Sequence, residues 1–187
     1  NAMLNATSSN DNVAIGYRAI GLGVLTGADN TVVGTYAGYD LTSATNNCFF
    51  GRNAGANLTT GHNNVAIGYQ SFDAANAGEA ANVAIGYSAM GAVDETINSG
   101  AGVHSADNNV AIGYNALLGG VIGGGDVNDS TDRRLNHNIA IGYGSLDATG
   151  ENPSVGQIAI GYDSLGALTS GERNLGIGYQ SLYQADV

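Results

Sequence analysis

The chain has 187 residues, 43% of them apolar, with 30 glycines, one proline, no tryptophan and a formal net charge of −11. Its five basic residues are all arginines (Arg18, Arg52, Arg133, Arg134 and Arg173), so no basic stripe exists for a nucleic acid or an anionic membrane surface. No run approaches the roughly 18 consecutive apolar residues of a membrane span, and the lone Cys48 excludes an intrachain disulfide.

Residues 1–11 are small and polar and are expected to be frayed or to act as a cap; Asn1-Ala2 ahead of Met3 looks like a cloning remnant. From residue 12 to residue 187 the chain reads as one repeat domain. A phrase of the form Asn-Val-Ala-Ile-Gly-Tyr-x-Ala-Leu occurs nine times, centred on Gly16, Gly34, Gly51, Gly68, Gly86, Gly113, Gly142, Gly161 and Gly178. Four residues before the glycine stands Asn12, Asn30, Asn47, Asn64, Asn82, Asn109, Asn138 or Asn174, with Gln157 the one substitute. A large apolar residue such as Ile67 or Ile112 always precedes the glycine, and tyrosine follows it in seven copies. Three residues after it there is only Ala or Ser.

Read as a strand, the phrase puts Val110, Ile112 and Tyr114 on one side and Ala111 and Gly113 on the other. Val, Ile and Tyr favour strands. The side without bulk allows close approach of a neighbouring chain or of a tight inner turn. Successive glycines are 18, 17, 17, 18, 27, 29, 19 and 17 residues apart. Such a period is too short for a β-α-β crossover, so each copy is expected to be one coil of an all-β solenoid or roll. Stacking makes ladders of identical residues, and the Asn column becomes an amide ladder. Each coil offers a Val, an Ile, a Leu and part of a Tyr, a thin core for seventeen ordered residues, which predicts side-by-side association that buries a second apolar face. Cys48, in a column otherwise held by Val and Ile, is expected to be a small buried hydrophobe. The tyrosine column either faces outward as a strip for sugar rings or packs inward; its parity with Val and Ile favours partial burial.

Along the chain, copies one to five are regular. Their turns carry Leu25-Thr26-Gly27 and Leu58-Thr59-Thr60-Gly61, echoed by Leu168-Thr169-Ser170-Gly171, whose glycines suit a turn with positive φ. Copies two and three deviate: Thr35 and Arg52 replace Tyr, and Gly38 and Gly55 replace the usual Leu or Ile, which suggests a local change in packing. Two long insertions follow, at 93–105 and 118–137, and in repeat proteins such insertions cluster as loops on a binding face. Candidate receptor contacts in them are His104, Asp126, Asn128, Asp129, Arg133 and Arg134. Asp126, Asn128, Ser130 and Asp132 alternate like the opening of a calcium loop, all hard oxygen donors. The sixth position lacks its glycine and the twelfth its glutamate, so the ordinary reading is a solvated acidic loop and no cofactor is assigned. His62, His104 and His137 fall in separate turns and make no catalytic trio. Asp73, Asp147 and Asp163 offer carboxylates from which a glycosidase pair could be assembled, as any acidic solenoid does.

The phrase Asn-Val-Ala-Ile-Gly-x-x-Ala/Ser, across residues 12–182, resembles the head repeats of YadA-like trimeric autotransporter adhesins and the Asn-x-Ala-Val-Gly-Tyr-Gln-Ala-Leu repeats of phage tail fibres. The resemblance implies a left-handed parallel β-roll of nine coils and a side-by-side homotrimer. It further implies attachment to a cell-surface receptor or glycan, on a cell surface or a virion. It also implies that the Ile and Val before each glycine are core, with Asn12, Asn64, Asn109, Gly68 and Gly113 among those that hold the tight coil. Adhesin heads repeat at fourteen residues, whereas the period here, the Tyr column and the insertions stand closer to the tail-fibre variety. Two enzyme classes stand beside this non-catalytic reading. One is a polysaccharide-cleaving tail spike. The other is a left-handed β-helix acyltransferase, whose hexapeptide Ile67-Gly68-Tyr69-Gln70-Ser71-Phe72 satisfies but whose next hexapeptide, starting at Asp73, does not.

Overall fold

The computed structural model describes residues 10–22, 24–75, 78–93, 104–119, 133–149 and 154–183. It is an all-β, parallel β-solenoid of about seven turns, with no helix among the described residues. One wall is a nine-stranded parallel sheet of three-residue strands, one per phrase: β1 (Val13–Ile15), β2 (Thr31–Val33), β3 (Cys48–Phe50), β4 (Val65–Ile67), β5 (Val83–Ile85), β7 (Val110–Ile112), β9 (Ile139–Ile141), β11 (Ile158–Ile160) and β13 (Leu175–Ile177). They pair in chain order, and each residue faces its repeat counterpart, as Val83, Ala84 and Ile85 face Val110, Ala111 and Ile112. The second wall consists of β6 (His104–Ser105), β8 (Arg133–Asn136), β10 (Ser154–Val155) and β12 (Gly171–Glu172), and of bridges that link Thr45, His62 and Ala80.

The faces are the reverse of what the bulky residues suggest. Ala66, Ala84, Ala111, Ala140 and Ala159, in the strand middles, are fully buried, while Ile67 and Ile112 are about a third exposed and Ile15 and Ile177 more than half. The expectation of Ile and Val as core therefore fails within the chain. The interior is too narrow at the strands for branched side chains, and its bulk comes from the turns instead. Ile20, Phe72, Met90, Leu117, Leu146 and Leu165, four residues after six of the nine phrase glycines, point inward, and Leu25, Leu41, Leu58 and Leu168 close the far side. Cys48 corrects in the same way: it is exposed, because the parity that buries Phe49 turns its neighbours outward.

The phrase glycines are explained by stacking. From Gly16 to Gly161 each has φ between +128° and +142°, and a Cβ would run into the carbonyl of the next phrase glycine. The close approach expected of the bare side is thus made by the chain's own next turn. The turn glycines differ from expectation. Gly171 has positive φ (+134°), whereas Gly27 and Gly61 are glycine because a Cβ would strike the carbonyls of Ala44 and Glu79 in the next turn.

The amide ladder runs from Asn12 to Asn174. At Asn64 the backbone N–H donates to Asn47 Oδ1 (2.9 Å), and Nδ2 donates both to Asn47 Oδ1 (3.2 Å) and to the carbonyl of Glu79 (2.8 Å). Asn64 Oδ1 in turn accepts from Asn82 N and Nδ2 at 3.0 and 3.2 Å. Asn109 repeats the scheme between Asn82 and Leu135. Gln157 keeps the ladder through its longer arm, accepting from Asn174 N (2.8 Å) and donating to Gly171 O (2.6 Å). From Asn30 to Gln157 these side chains are buried, so the satisfied amides tie one turn to the next where an orphan would be costly.

Candidate functional site

The outward face of the nine-stranded wall is the most distinctive surface. Two columns run along it, the strand-opening Val, Ile or Leu, replaced by Thr31 and Cys48 in β2 and β3, and the strand-closing Ile, Val or Phe, with the tyrosines beyond the glycine as a third. Val13, Ile15, Phe50, Ile67, Ile112, Leu175 and Ile177 are all exposed large apolar residues, and Cys48 lies among them. A single exposed Ile needs no explanation, but a column of large apolar residues repeated along a whole sheet is unusual for a surface that meets only water.

The tyrosine column forms a continuous stack. Tyr69, Tyr87, Tyr114, Tyr143, Tyr162 and Tyr179 succeed one another with centroids 4.9–5.3 Å apart and planes within 17°. The spacing is that of the strands, so each ring lies on the copy before it. They face outward and are exposed, from 39% at Tyr69 to 74% at Tyr179, so the partial burial that their parity suggested is not what the fold makes; what cover they have comes from one another. Their flat faces are occupied by neighbouring rings, and the edges and hydroxyls are what the surface presents. The guanidinium of Arg52, which replaces Tyr in the third copy, sits 5.8 Å from the Tyr69 ring centre and closes that end of the stack. A second aromatic group was not legible from the phrase: Tyr36 meets Tyr17 and Tyr39 edge to face at 5.6 and 5.2 Å, and Arg18 Nη1 donates to Tyr39 Oη at 3.2 Å. Tyr36 and Tyr39 fall outside the repeat column, and only the fold brings them beside Tyr17.

The insertions meet on the second wall. Parallel pairing of β6 with β8 sets His104 opposite Arg133 and Ser105 opposite Arg134, so the ends of the two insertions are adjacent. Asn136 Nδ2 donates to Ser105 Oγ (2.6 Å), and Asp107 N–H donates to Asn136 Oδ1 (2.8 Å). Asp126, Asn128, Asp129, Ser130 and Asp132, with the calcium-like spacing, lie outside the described residues. Among the described residues no group of three or more His, Cys, Asp or Glu could hold a metal ion. His62 and His137 are exposed at separate levels, His62 in a bridge and His137 with φ of 60°.

Three carboxylates stand out electrostatically. Burial pushes Asp73 up to about 6, against hydrogen bonds from Gln70 and its own backbone that favour the charged form. Burial also raises Asp147, helped by the charge of Asp163, and burial raises Asp40. Asp147 and Asp163 converge beside Gly144, where a Cβ would meet oxygens of both. Asp73 precedes Asp147 by three strand levels, about 14 Å at the usual strand spacing. That exceeds the roughly 5–9.5 Å that separates a glycosidase pair, so Asp73 and Asp147 do not make one, whereas the converging Asp147 and Asp163 are not excluded by distance.

No family model matches this chain, and neither the curated proteins nor the solved structures contain a significant match to it.

Proposed function

We propose that the chain is a non-catalytic structural and attachment module of a trimeric fibre or adhesin. In this reading each of the nine phrases forms one coil of a left-handed β-roll. Three chains pack side by side through the Val/Ile/Tyr wall, and the loops at 93–105 and 118–137 meet a receptor or glycan on a cell surface. The observation that carries it is the apolar outward wall. Inside the sheet Phe50 is 57% exposed, Ile67 37% and Ile112 36%, at a position where every copy carries a strand former. A face so apolar is satisfied by an equivalent face on another copy, and cyclic association of identical chains closes without leaving one exposed. The occupied faces of the tyrosine stack direct sugar recognition to the loops. The acidic, lysine-free surface suits an extracellular fibre or virion component that binds neither nucleic acid nor anionic membrane.

Light scattering tests the assembly. A solution mass of three times 18.8 kDa is expected, and a clean monomer at micromolar concentration overturns the side-by-side trimer. Glycan-array binding that is lost on shortening both loops, at unchanged mass, is the expected outcome for attachment. Release of sugar from a host polysaccharide overturns the non-catalytic reading.

A further inference from the structure

The tyrosine stack holds the reactive carbons of successive turns against one another. Tyr69, Tyr87, Tyr114, Tyr143 and Tyr162 follow each other with centroids 4.9–5.3 Å apart and planes within 17°. Ring carbons touch at about 3.5–4 Å, so parallel rings at this centroid distance are offset. The offset carries the rim of one ring over the body of the next, and the rim includes the two Cε carbons ortho to the hydroxyl. Backbone pairing fixes this register. Ser88 N–H donates to Tyr69 O (3.0 Å), Asn115 N–H to Tyr87 O (3.0 Å), Gly144 N–H to Tyr114 O (3.0 Å) and Asp163 N–H to Tyr143 O (2.8 Å). None of the rings is sealed from solvent.

Two of the stacked pairs span the insertions. Tyr87 and Tyr114 are 27 residues apart and enclose 93–105, while Tyr114 and Tyr143 are 29 apart and enclose 118–137. A covalent bond within either pair would close the turn at the base of an insertion, in a chain whose single cysteine offers no intrachain disulfide.

We propose that the stack is a site of oxidative modification, at which neighbouring tyrosines of one chain are joined as dityrosine by a peroxide-fed, one-electron oxidant of the haem peroxidase class. Each phenol gives up one electron and its hydroxyl proton and becomes a phenoxyl radical, whose unpaired electron is shared with the Cε carbons. Two radicals on adjacent rings form one Cε–Cε bond. The hydrogen on each joined carbon then moves to its oxygen, which restores both phenols. One hydrogen peroxide takes up the two electrons and two protons and leaves as two waters. The chain loses two hydrogens per link, and the link restrains the unfolded chain by closing a loop, as a disulfide does. It joins turns of the same chain, so it stands or fails apart from side-by-side packing and receptor binding.

Cleavage at arginine supplies the test. The arginines divide the unfolded chain so that Tyr69, Tyr87 and Tyr114 fall in peptide 53–133, and Tyr143 and Tyr162 in peptide 135–173. The folded protein is treated with hydrogen peroxide and a haem peroxidase, quenched, denatured and digested with trypsin. Before digestion the product is expected to keep the mass of one chain, 18.8 kDa, under denaturing conditions. After digestion, peptides 53–133 and 135–173 are expected to be joined, lighter than their sum by two hydrogens per link. Y114F keeps the ring but lacks the hydroxyl. It is expected to reduce the joined pair at least ten-fold, because Tyr87 lies two levels, about 10 Å, from Tyr143. Y87F is expected to leave the joined pair unchanged. Absence of the joined pair overturns the proposal, as does a product at twice the chain mass in its place, which would mean coupling between chains. So does an equal yield in Y114F, or in protein unfolded in urea before oxidation.

Discussion

The ring of Phe49 fills the space into which a side chain at Gly55 would project: a Cβ there would meet Phe49 Cε2 at 2.5 Å and Cδ2 at 2.7 Å. One level on, the same two positions are held by Ala66 and Phe72, both buried. Bulk has moved from turn to strand while the filled volume stays similar, and Val32 with Gly38 makes the same exchange one level earlier. The deviant second and third copies are thus compensated pairs.

This pairing predicts a double-mutant cycle. Phe49→Ala alone empties part of the core and is expected to cost about 3–5 kcal/mol in urea unfolding. Gly55→Phe alone overfills it and costs about 1–3 kcal/mol. The double variant recreates the Ala66/Phe72 arrangement and is expected to recover most of the loss, since Phe72 already tolerates φ of 54° at that position. Additive losses would show that the pair is uncoupled.

The amide ladder predicts a graded series at Asn64. Asn64→Ala leaves the Asn82 N–H and amide without their acceptor and the Glu79 carbonyl without its donor, so it is expected to cost about 2–5 kcal/mol. Asn64→Gln should cost markedly less, because Gln157 already carries the ladder at another level. Thermal or denaturant midpoints rank the two, and equal losses would refute the ladder's energetic role.

Asp73 predicts an acid-side gain in stability. Its folded value of about 6 lies above the ordinary 3.8, so between those values the folded chain binds more protons than the unfolded one. Stability is greatest below that window and falls as pH rises from about 4 to about 6. With a side chain only half buried, screening reduces the effect to about 1 kcal/mol. Asp147 and Asp40 shift in the same direction. Denaturant midpoints across pH 4–7 should therefore flatten in Asp73→Asn, and an unchanged profile would remove Asp73 as their source.

Cys48 supplies a reporter for the apolar wall. It is exposed in the isolated chain, yet it sits in the face proposed to join the copies. Maleimide labelling is expected to be slow in the native assembly and to accelerate at least ten-fold on dissociation by dilution. Rapid labelling of a particle that still has three times the chain mass would place the interface elsewhere.

Much of this architecture is legible in the chain itself. The nine phrases mark nine parallel strands in register, and the Asn column marks the amide ladder, because stacking repeats a side chain at every level. The inward face was not legible. The alternation Val-Ala-Ile assigns the larger set to the core in any lone amphipathic strand, but Ala111 is buried and Ile112 partly exposed, since Leu117 enters the interior from the turn. That inversion depends on three residues with positive φ in one turn, Gly113, Asn115 and Leu117, and a residue such as Leu117 gives no local hint of it. The strands His104–Ser105 and Gly171–Glu172 were equally hidden, because two-residue segments carry no periodicity. Among the candidate contacts, the approach of His104 to Arg133 comes from strand pairing across an insertion, which spacing alone does not encode.

The six stacked tyrosines also make the protein its own optical gauge. The chain has ten tyrosines and no tryptophan, so its near-ultraviolet absorption is dominated by phenols, six of them held in parallel at nearly constant separation. Their electronic transitions couple, and the resulting dichroism depends on how many consecutive rings remain aligned. Fraying from either end, or insertion of an extra turn, would be read directly from that band without any added label.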